Sequence, residues 1–157
     1  MQSSELSSDS ELPAPPKKVV WFREVEGDLF DSKDSLAHCV SKDLRMGMGI
    51  AKEFKARFGD DIERKNVGEC AMLRSGRERR IFYLVTKERY YQKPTYETLS
   101  AALQSLRQLC VDNNITKLSM PQIGCGLDRL RWDKVRSMIR DTFKDKVAVT
   151  IYIKRSQ

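Results

Sequence analysis

Short apolar runs alternate with amphipathic segments along most of this 157-residue chain, and this alternation limits the folds that the chain can adopt. Runs of β-branched and aromatic residues between turn residues predict strands, whereas apolar residues spaced three or four apart predict helices. The predicted strands are residues 19–25, 35–40, 115–120 and 147–153, together with two runs within 70–86 that meet at a turn. Strands that alternate with helices predict one α/β domain with a mostly parallel central sheet.

Three segments predict helices: residues 49–58, a long segment that follows Thr95 and ends near Asn113, and residues 132–143. The long segment has the clearest pattern, because its apolar residues fall on one stripe. That stripe consists of Leu99, Ala102, Leu103, Leu106, Leu109 and Cys110.

Glycine-bearing loops follow two of the predicted strands. Residues 41–50 include Gly49 and lead into a helix, and residues 121–128 include Gly124 and Gly126. In parallel sheets, ligands bind beyond the carboxyl ends of the strands. Glycines allow backbone N–H groups to approach an anion, and a helix N-terminus adds partial positive charge. The two loops predict a ligand with two phosphates, and the alternative is a pair of ordinary turns. Neither loop has the Walker pattern or a full GxGxxG.

Three charged residues beside these loops are candidates for chemistry or ligand contacts. Lys87 follows a predicted strand, and Asp128 ends the second glycine loop. A lysine amine becomes nucleophilic once its proton is removed, and a nearby carboxylate can accept that proton and later activate water. The alternative is a simple ion pair between the two loops. Asp28 follows the first strand. Its carboxylate is predicted either to accept a hydrogen bond from an adenine amino group or to cap a turn.

Positive charge dominates the chain outside its N-terminal tail. Lys and Arg number 29 against 22 Asp and Glu, and the net charge is +7. Residues 1–16 contain Glu5, Asp9 and Glu11 and no base, so the remaining chain carries +10. A basic domain favours anionic partners, although the charge could instead serve solubility. The tail is rich in Ser and Pro and is predicted to be disordered.

The cysteine pattern and the hydropathy indicate a protein of a reducing compartment. The four cysteines have no CxxC pairing and there is one histidine, so no metal site is expected. No run of ~18 apolar residues predicts a membrane span, and the acidic N-terminus is unlike a signal peptide. We therefore expect an intracellular protein with no membrane association.

Five blocks of the sequence resemble the macrodomain superfamily, and in particular its terminal ADP-ribose protein glycohydrolases, also described as O-acyl-ADP-ribose deacylases. The blocks are "GDLF", "DSLAHCVSKDLRMGMGIA", "YLVTK", "KPTYETL" and "LSMPQIGCGLDRLRW". The likeness runs from about residue 20 to residue 153. It implies a three-layer α/β/α macrodomain over residues 17–157, with a mixed, mostly parallel sheet. It also implies binding of ADP-ribose and hydrolysis of the ester that joins ADP-ribose to Glu or Asp side chains or to an acyl group.

The resemblance also implies roles for individual residues, with no cofactor and no metal. Lys87 would attack the anomeric carbon of the distal ribose, and Asp128 would assist release of the lysyl adduct. Asp28 and Leu29 would contact the adenine. The two loops would hold the diphosphate and distal ribose through Ser41, Gly49, Ile50, Pro121, Gly124, Cys125, Gly126 and Leu127.

Two features depart from the family pattern. Gln122 stands where these relatives carry Arg, and the chain continues past residue 153 as "KRSQ". The first bears on a contact to the phosphate or to a larger target, and the second on an adenine contact from the C-terminus, because the relatives stop near residue 153.

The resemblance implies ADP-ribosylated proteins as partners and a location in nucleus and cytoplasm with a role in the DNA damage response. Nothing in the sequence demands more than a monomer. One alternative is a reader that binds ADP-ribose without cleaving its linkage. Another is a protein that binds or hydrolyses ADP-ribosylated nucleic acid or poly(ADP-ribose), since Tyr90 and Tyr91 lie beside Arg89 and Lys93.

Overall fold

The computed structural model describes residues 20–125 and 129–154, which form six strands and three α-helices. Residues 1–19, which include the predicted tail, lie outside this part of the chain. The elements are β1 (Phe22–Glu26), a short 3-10 helix (Leu29–Asp31), β2 (Ser35–Ser41), α1 (Gly49–Phe58), β3 (Cys70–Ser75), β4 (Arg79–Lys87), α2 (Tyr96–Asp112), β5 (Lys117–Pro121), α3 (Trp132–Phe143) and β6 (Ala148–Ile153).

The strands form one mixed sheet in the order β1-β6-β5-β2-β4-β3. Every neighbouring pair is parallel except β3–β4, which form the predicted hairpin around Gly76. The prediction of a mostly parallel sheet is therefore confirmed. Because β1, β2, β4, β5 and β6 run in the same direction, their carboxyl ends meet at one edge of the sheet.

Helices cover both faces of the sheet, which confirms the three-layer α/β/α architecture. One apolar cluster joins α2 and α3 to one face, and a second cluster joins α1 to the other. Successive residues of β4 alternate between them, since Phe82 belongs to the first cluster and Tyr83 to the second. A strand buried on both faces reads as a continuous apolar run, as residues 81–85 do. Within the two described ranges, no helix is both long and apolar enough to cross a membrane.

Local signals define the helices better than the strands. Helices α1 and α3 have the predicted bounds, and α2 begins at a capping box in which Thr95 and Thr98 exchange hydrogen bonds. By contrast, β5 begins two residues later than predicted, because the Ile115 N–H donates to the Cys110 carbonyl (2.8 Å) and completes the end of α2. Likewise β6 begins at Ala148, since the Val147 N–H donates to the Phe143 carbonyl of α3.

His38 of β2 is fully buried in the layer between the sheet and α1. Its ring stacks on Phe54 with centroids 3.7 Å apart and meets the ring of Tyr83 edge-on at 4.9 Å. In the part of the chain that the structure describes, neither ring nitrogen has a hydrogen-bond partner. Burial lowers the pKa of His38 from 6.5 to about 3, so the imidazole is neutral at physiological pH.

Replacement of His38 by Phe is expected to protect the fold against mild acid. Well above pH 6.5 the histidine is neutral in both the folded and the unfolded state, so its protonation does not reduce the stability of the fold there. Between 6.5 and about 3, only the unfolded chain binds the proton. The free energy of unfolding therefore falls by about 1.4 kcal/mol for each pH unit in this window. Urea unfolding at about pH 5 and about pH 7.5 should show this loss for the wild type but not for His38→Phe.

The matched control is Tyr83→Phe, which alters the same aromatic cluster at a residue that does not titrate in acid, because burial raises the pKa of Tyr83 to about 12. An equal loss of stability in His38→Phe and the wild type would contradict the assignment of the acid sensitivity to His38.

Candidate functional site

A cleft of about 1350 Å³ lies at the edge of the sheet where the parallel strands end. Residues at or just after the ends of five strands line it. These residues are Asp28 after β1, Ser41 of β2, Lys87 of β4, Pro121 of β5, and Tyr152 and Lys154 at the end of β6. The cleft therefore lies where parallel α/β sheets bind their ligands.

The first glycine loop leads into the N-terminus of α1, and the first turn of that helix borders the cleft. Gly49 has a φ of +61°, a conformation that strains other residues, and Gly49, Ile50 and Ala51 all line the cavity. The preceding N-cap residue, Met48, has no side-chain oxygen to accept from the first N–H groups. These donors and the positive end of the helix dipole make this side of the cleft suited to an anion.

The second glycine loop follows β5 on the neighbouring side. Gly124 has a φ of +73°, and a Cβ atom there would lie 3.0 Å from Leu130 Cδ1. The Leu130 N–H donates to the Gly124 carbonyl (2.7 Å), which draws the two ends of the loop together. Pro121, Gly124 and Cys125 line the cleft, and so does Gln122, the residue at which the chain departs from the family pattern.

Three residues of the predicted site, Gly126, Leu127 and Asp128, lie outside the described residues. The geometry of the proposed pair of Lys87 and Asp128 is therefore a prediction, whether the two act in catalysis or as an ion pair.

Lys87 ends β4 at a local irregularity in the pairing with β2. Val40 pairs with Val85, but the next residue of β2, Ser41, pairs with Lys87, so Thr86 is one residue extra on β4. The Lys42 N–H donates to the Lys87 carbonyl (2.8 Å) and extends the ladder by one bond. Bulges of this kind redirect the side chain that follows them. The half-buried Lys87 is thereby held beside Ser41 at the cleft.

Asp28 caps the 3-10 helix that follows β1. Its Oδ1 accepts a hydrogen bond from the Phe30 N–H (3.0 Å), so the turn-cap interpretation is correct. The same residue lies on the cleft together with the buried Leu29. Capping leaves lone pairs of the carboxylate available, and the adenine contact stays a prediction.

The mouth of the cleft has an apolar and basic rim that the sequence did not single out as a whole. Its side chains are Arg45, Met48, Tyr90, Tyr91 and Lys93. Met48, Tyr90 and Tyr91 are 65%, 47% and 71% exposed, which is unusual for large apolar side chains. The Arg45 guanidinium lies 4.6 Å from the centre of the Tyr90 ring, and the two tyrosine rings meet edge-to-face at 5.4 Å. The tyrosine pair was visible in the sequence, but no local pattern brings Arg45 and Met48 to it.

Sequence comparisons find a family and relatives for this chain. The family model described as Macro domain matches residues 37–139. The ADP-ribose glycohydrolase OARD1 of Homo sapiens is 49% identical over 136 residues, which covers 82% of this chain and 88% of that protein. The protein of the same name from Bos taurus is 48% identical over 136 residues, which again covers 82% of this chain and 88% of that protein.

Solved structures share the fold at low sequence identity. The macrodomain of Thermus aquaticus DarG superposes with a TM-score of 0.75 at 21% identity and covers 86% of this chain and 98% of that one. The Trypanosoma brucei macrodomain in complex with ADP-ribose has a TM-score of 0.68 at 12% identity, and the match covers 89% of this chain and 67% of that one.

Substitution of Gly124 by Ala is expected to weaken ligand binding at the cleft. The positive φ and the contact with Leu130 would strain the loop, and its backbone groups would shift. With ADP-ribose, the ligand that the sequence resemblance implies, we expect Kd to rise ~10-fold, which equals about 1.4 kcal/mol. Isothermal titration calorimetry provides the measurement.

Gly76→Ala is the matched control, because Gly76 has a similar φ of +82° but lies in the β3–β4 turn, at the opposite edge of the sheet. Equal effects of the two substitutions on Kd would show that general strain, and not the loop, is responsible.

Proposed function

Because this chain belongs to the Macro domain family, we propose that it is an ADP-ribose glycohydrolase that releases ADP-ribose from Glu and Asp side chains of proteins and from O-acyl-ADP-ribose. The observation that carries the proposal is the position of Lys87 at the carboxyl edge of the sheet, on a cleft that both glycine loops line. The 49% identity to a glycohydrolase over most of both chains supports the same activity.

ADP-ribose would lie along the cleft with its two phosphates between the glycine loops. The N-terminus of α1 and the backbone of the second loop would offer N–H donors to the phosphate oxygens. Asp28 and Leu29 line the region after β1, where the adenine would bind. With the adenine there, the distal ribose would lie towards Lys87, and the group attached to it would leave through the rim.

The reaction exchanges one bond at the anomeric carbon for another. The uncharged Lys87 amine attacks that carbon, a C–N bond forms, and the C–O bond to the carboxyl group breaks. The departing carboxylate keeps the bonding electrons as a stable anion, so it needs little help from an acid. Water then attacks the anomeric carbon of this adduct, Asp128 accepts the water proton, and the C–N bond breaks with its electron pair returning to the Lys87 amine, which frees ADP-ribose.

Lys87→Ala should abolish release of ADP-ribose and preserve binding. Loss of the nucleophile is expected to lower kcat by roughly 1000-fold or more, whereas the phosphate contacts come from other residues. The measurement is release of free ADP-ribose from a protein mono-ADP-ribosylated on glutamate, together with the Kd for ADP-ribose. Lys87→Arg, which replaces the nucleophilic amine by a guanidinium of similar length, should be equally inactive.

Lys93→Ala is the control, because it removes a lysine of the same cleft that has no assigned part in the chemistry. Asp128→Asn should accumulate protein that is heavier by one ADP-ribosyl group in intact mass spectra. Full turnover by Lys87→Ala would refute the mechanism, and binding without turnover by the wild type would make this protein a reader.

A second candidate substrate is ADP-ribose attached to nucleic acid or within poly(ADP-ribose). The exposed Tyr90 and Tyr91 favour it, because a base next to the distal ribose could stack on them. Arg45 and Lys93 at the same rim could attract its phosphates.

Removal of both rim tyrosines should distinguish these substrates. Stacking contributes enough that Tyr90→Ala/Tyr91→Ala is expected to lower kcat/KM about tenfold for an oligonucleotide-linked ADP-ribose. The glutamate-linked substrate should change far less, since it presents no base. Trp21→Ala is the matched control, because Trp21 is an exposed aromatic residue just before β1, at the opposite edge of the sheet. An equal loss with both substrates would contradict a stacking role.

A further inference from the structure

One carboxylate, that of Asp43, joins the two loops on either side of Lys87. Asp43 Oδ1 accepts hydrogen bonds from the Ser41 hydroxyl and from the Arg45 N–H (3.2 Å), both within the β2–α1 loop region. Its Oδ2 accepts from the N–H of Tyr90 (3.1 Å), which lies 47 residues further along in the β4–α2 loop. Oδ1 thus accepts from the β2–α1 loop region, and Oδ2 accepts from the β4–α2 loop.

Two hydrogen bonds connect the β2–α1 loop to the chain at the end of β4. The Lys42 N–H donates to the Lys87 carbonyl, Asp43 is the next residue of the same loop, and Tyr90 is three residues beyond Lys87. The main chain on both sides of Lys87 is therefore tied to the end of β2. Asp43 itself does not line the cleft.

The negative charge of Asp43 strengthens the hydrogen bonds that it accepts from the two loops. Partial burial by itself raises the pKa of the carboxyl, but the hydrogen bonds from Ser41, Tyr90 and Arg45, with the nearby Arg89 guanidinium, outweigh it and lower the pKa below its usual value. The group is a carboxylate at neutral pH, and hydrogen bonds to a carboxylate are stronger than those to a neutral acceptor.

The loop that Asp43 holds has an unfavourable backbone conformation. Leu44 and Met46 have φ angles of +53° and +43°, a region that side chains other than glycine seldom adopt. Such conformations persist when surrounding contacts impose them. The three donors around Asp43 are contacts of that kind.

We propose that Asp43 is a positioning residue for the ADP-ribose glycohydrolase reaction, which holds the β2–α1 and β4–α2 loops together and so fixes Lys87 relative to the anomeric carbon. The inference rests on the function proposed above. Asp43 acts through the main chain and touches neither substrate nor reacting atoms. A displacement of the nucleophile by about 1 Å can cost ~100-fold in rate, so a contact behind the site can control turnover.

Two variants separate positioning from folding. Asp43→Asn keeps the size of the side chain and one oxygen acceptor, but its amide group cannot accept from the second loop. Asp43→Ala removes both acceptors. We expect kcat to fall ~10-fold in the first and ~100-fold in the second, a larger change than that in Kd for ADP-ribose, while the urea midpoint changes little. Asp60→Asn is the control, since it removes an equal charge near the other end of α1.

Hydrogen–deuterium exchange supplies a readout that does not depend on activity. Peptides that cover residues 42–48 and 88–93 should both exchange faster in Asp43→Ala and not in Asp60→Asn. Unchanged exchange in residues 88–93, or an unchanged kcat in Asp43→Ala, would overturn the proposal. If the wild type releases no ADP-ribose, the proposed function fails, and the exchange data still decide whether Asp43 joins the loops.

Discussion

Parallel pairing between β2 and β4 is the contact on which the geometry of the cleft depends. Its ladder joins residues 36–40 to residues 81–85 and then passes over Thr86, so that Ser41 and Lys87 lie side by side. Both strands are buried on both faces, and a slip by one residue would turn Phe82 and Tyr83 towards the wrong helical layers. The packing of the core therefore determines where Lys87 is presented.

The sheet and the loops contribute different things to the site. Strand ends supply residues at well-defined positions, because six hydrogen-bonded strands between two helical layers resist displacement. The loops supply backbone N–H groups through Gly49 and Gly124, whose positive φ angles bring the main chain close to the cavity. Polar anchors such as Asp43 connect the two parts, since a loop without them would sample many conformations.

Much of this architecture could be predicted from local patterns. Apolar periodicity predicted the bounds of α1 and α3, and the stop signal at Asn113 predicted the end of α2. The strand starts at 115 and 147 were wrong, because those residues still complete the preceding helices through backbone hydrogen bonds. Glycines after strands and Lys87 at a strand end predicted the edge of the sheet at which the cleft lies, since carboxyl ends of parallel strands converge.

The sequence by itself determined the number, type and order of the elements and the membership of the Macro domain family, since periodicity, turn residues and motif blocks are local in the chain. The tertiary structure alone decided which distant residues meet: Ser41 with Lys87, Arg45 with Tyr90, and Asp43 with the Tyr90 N–H. These contacts follow from strand order and register, which arise only when the helices pack on both faces of the sheet.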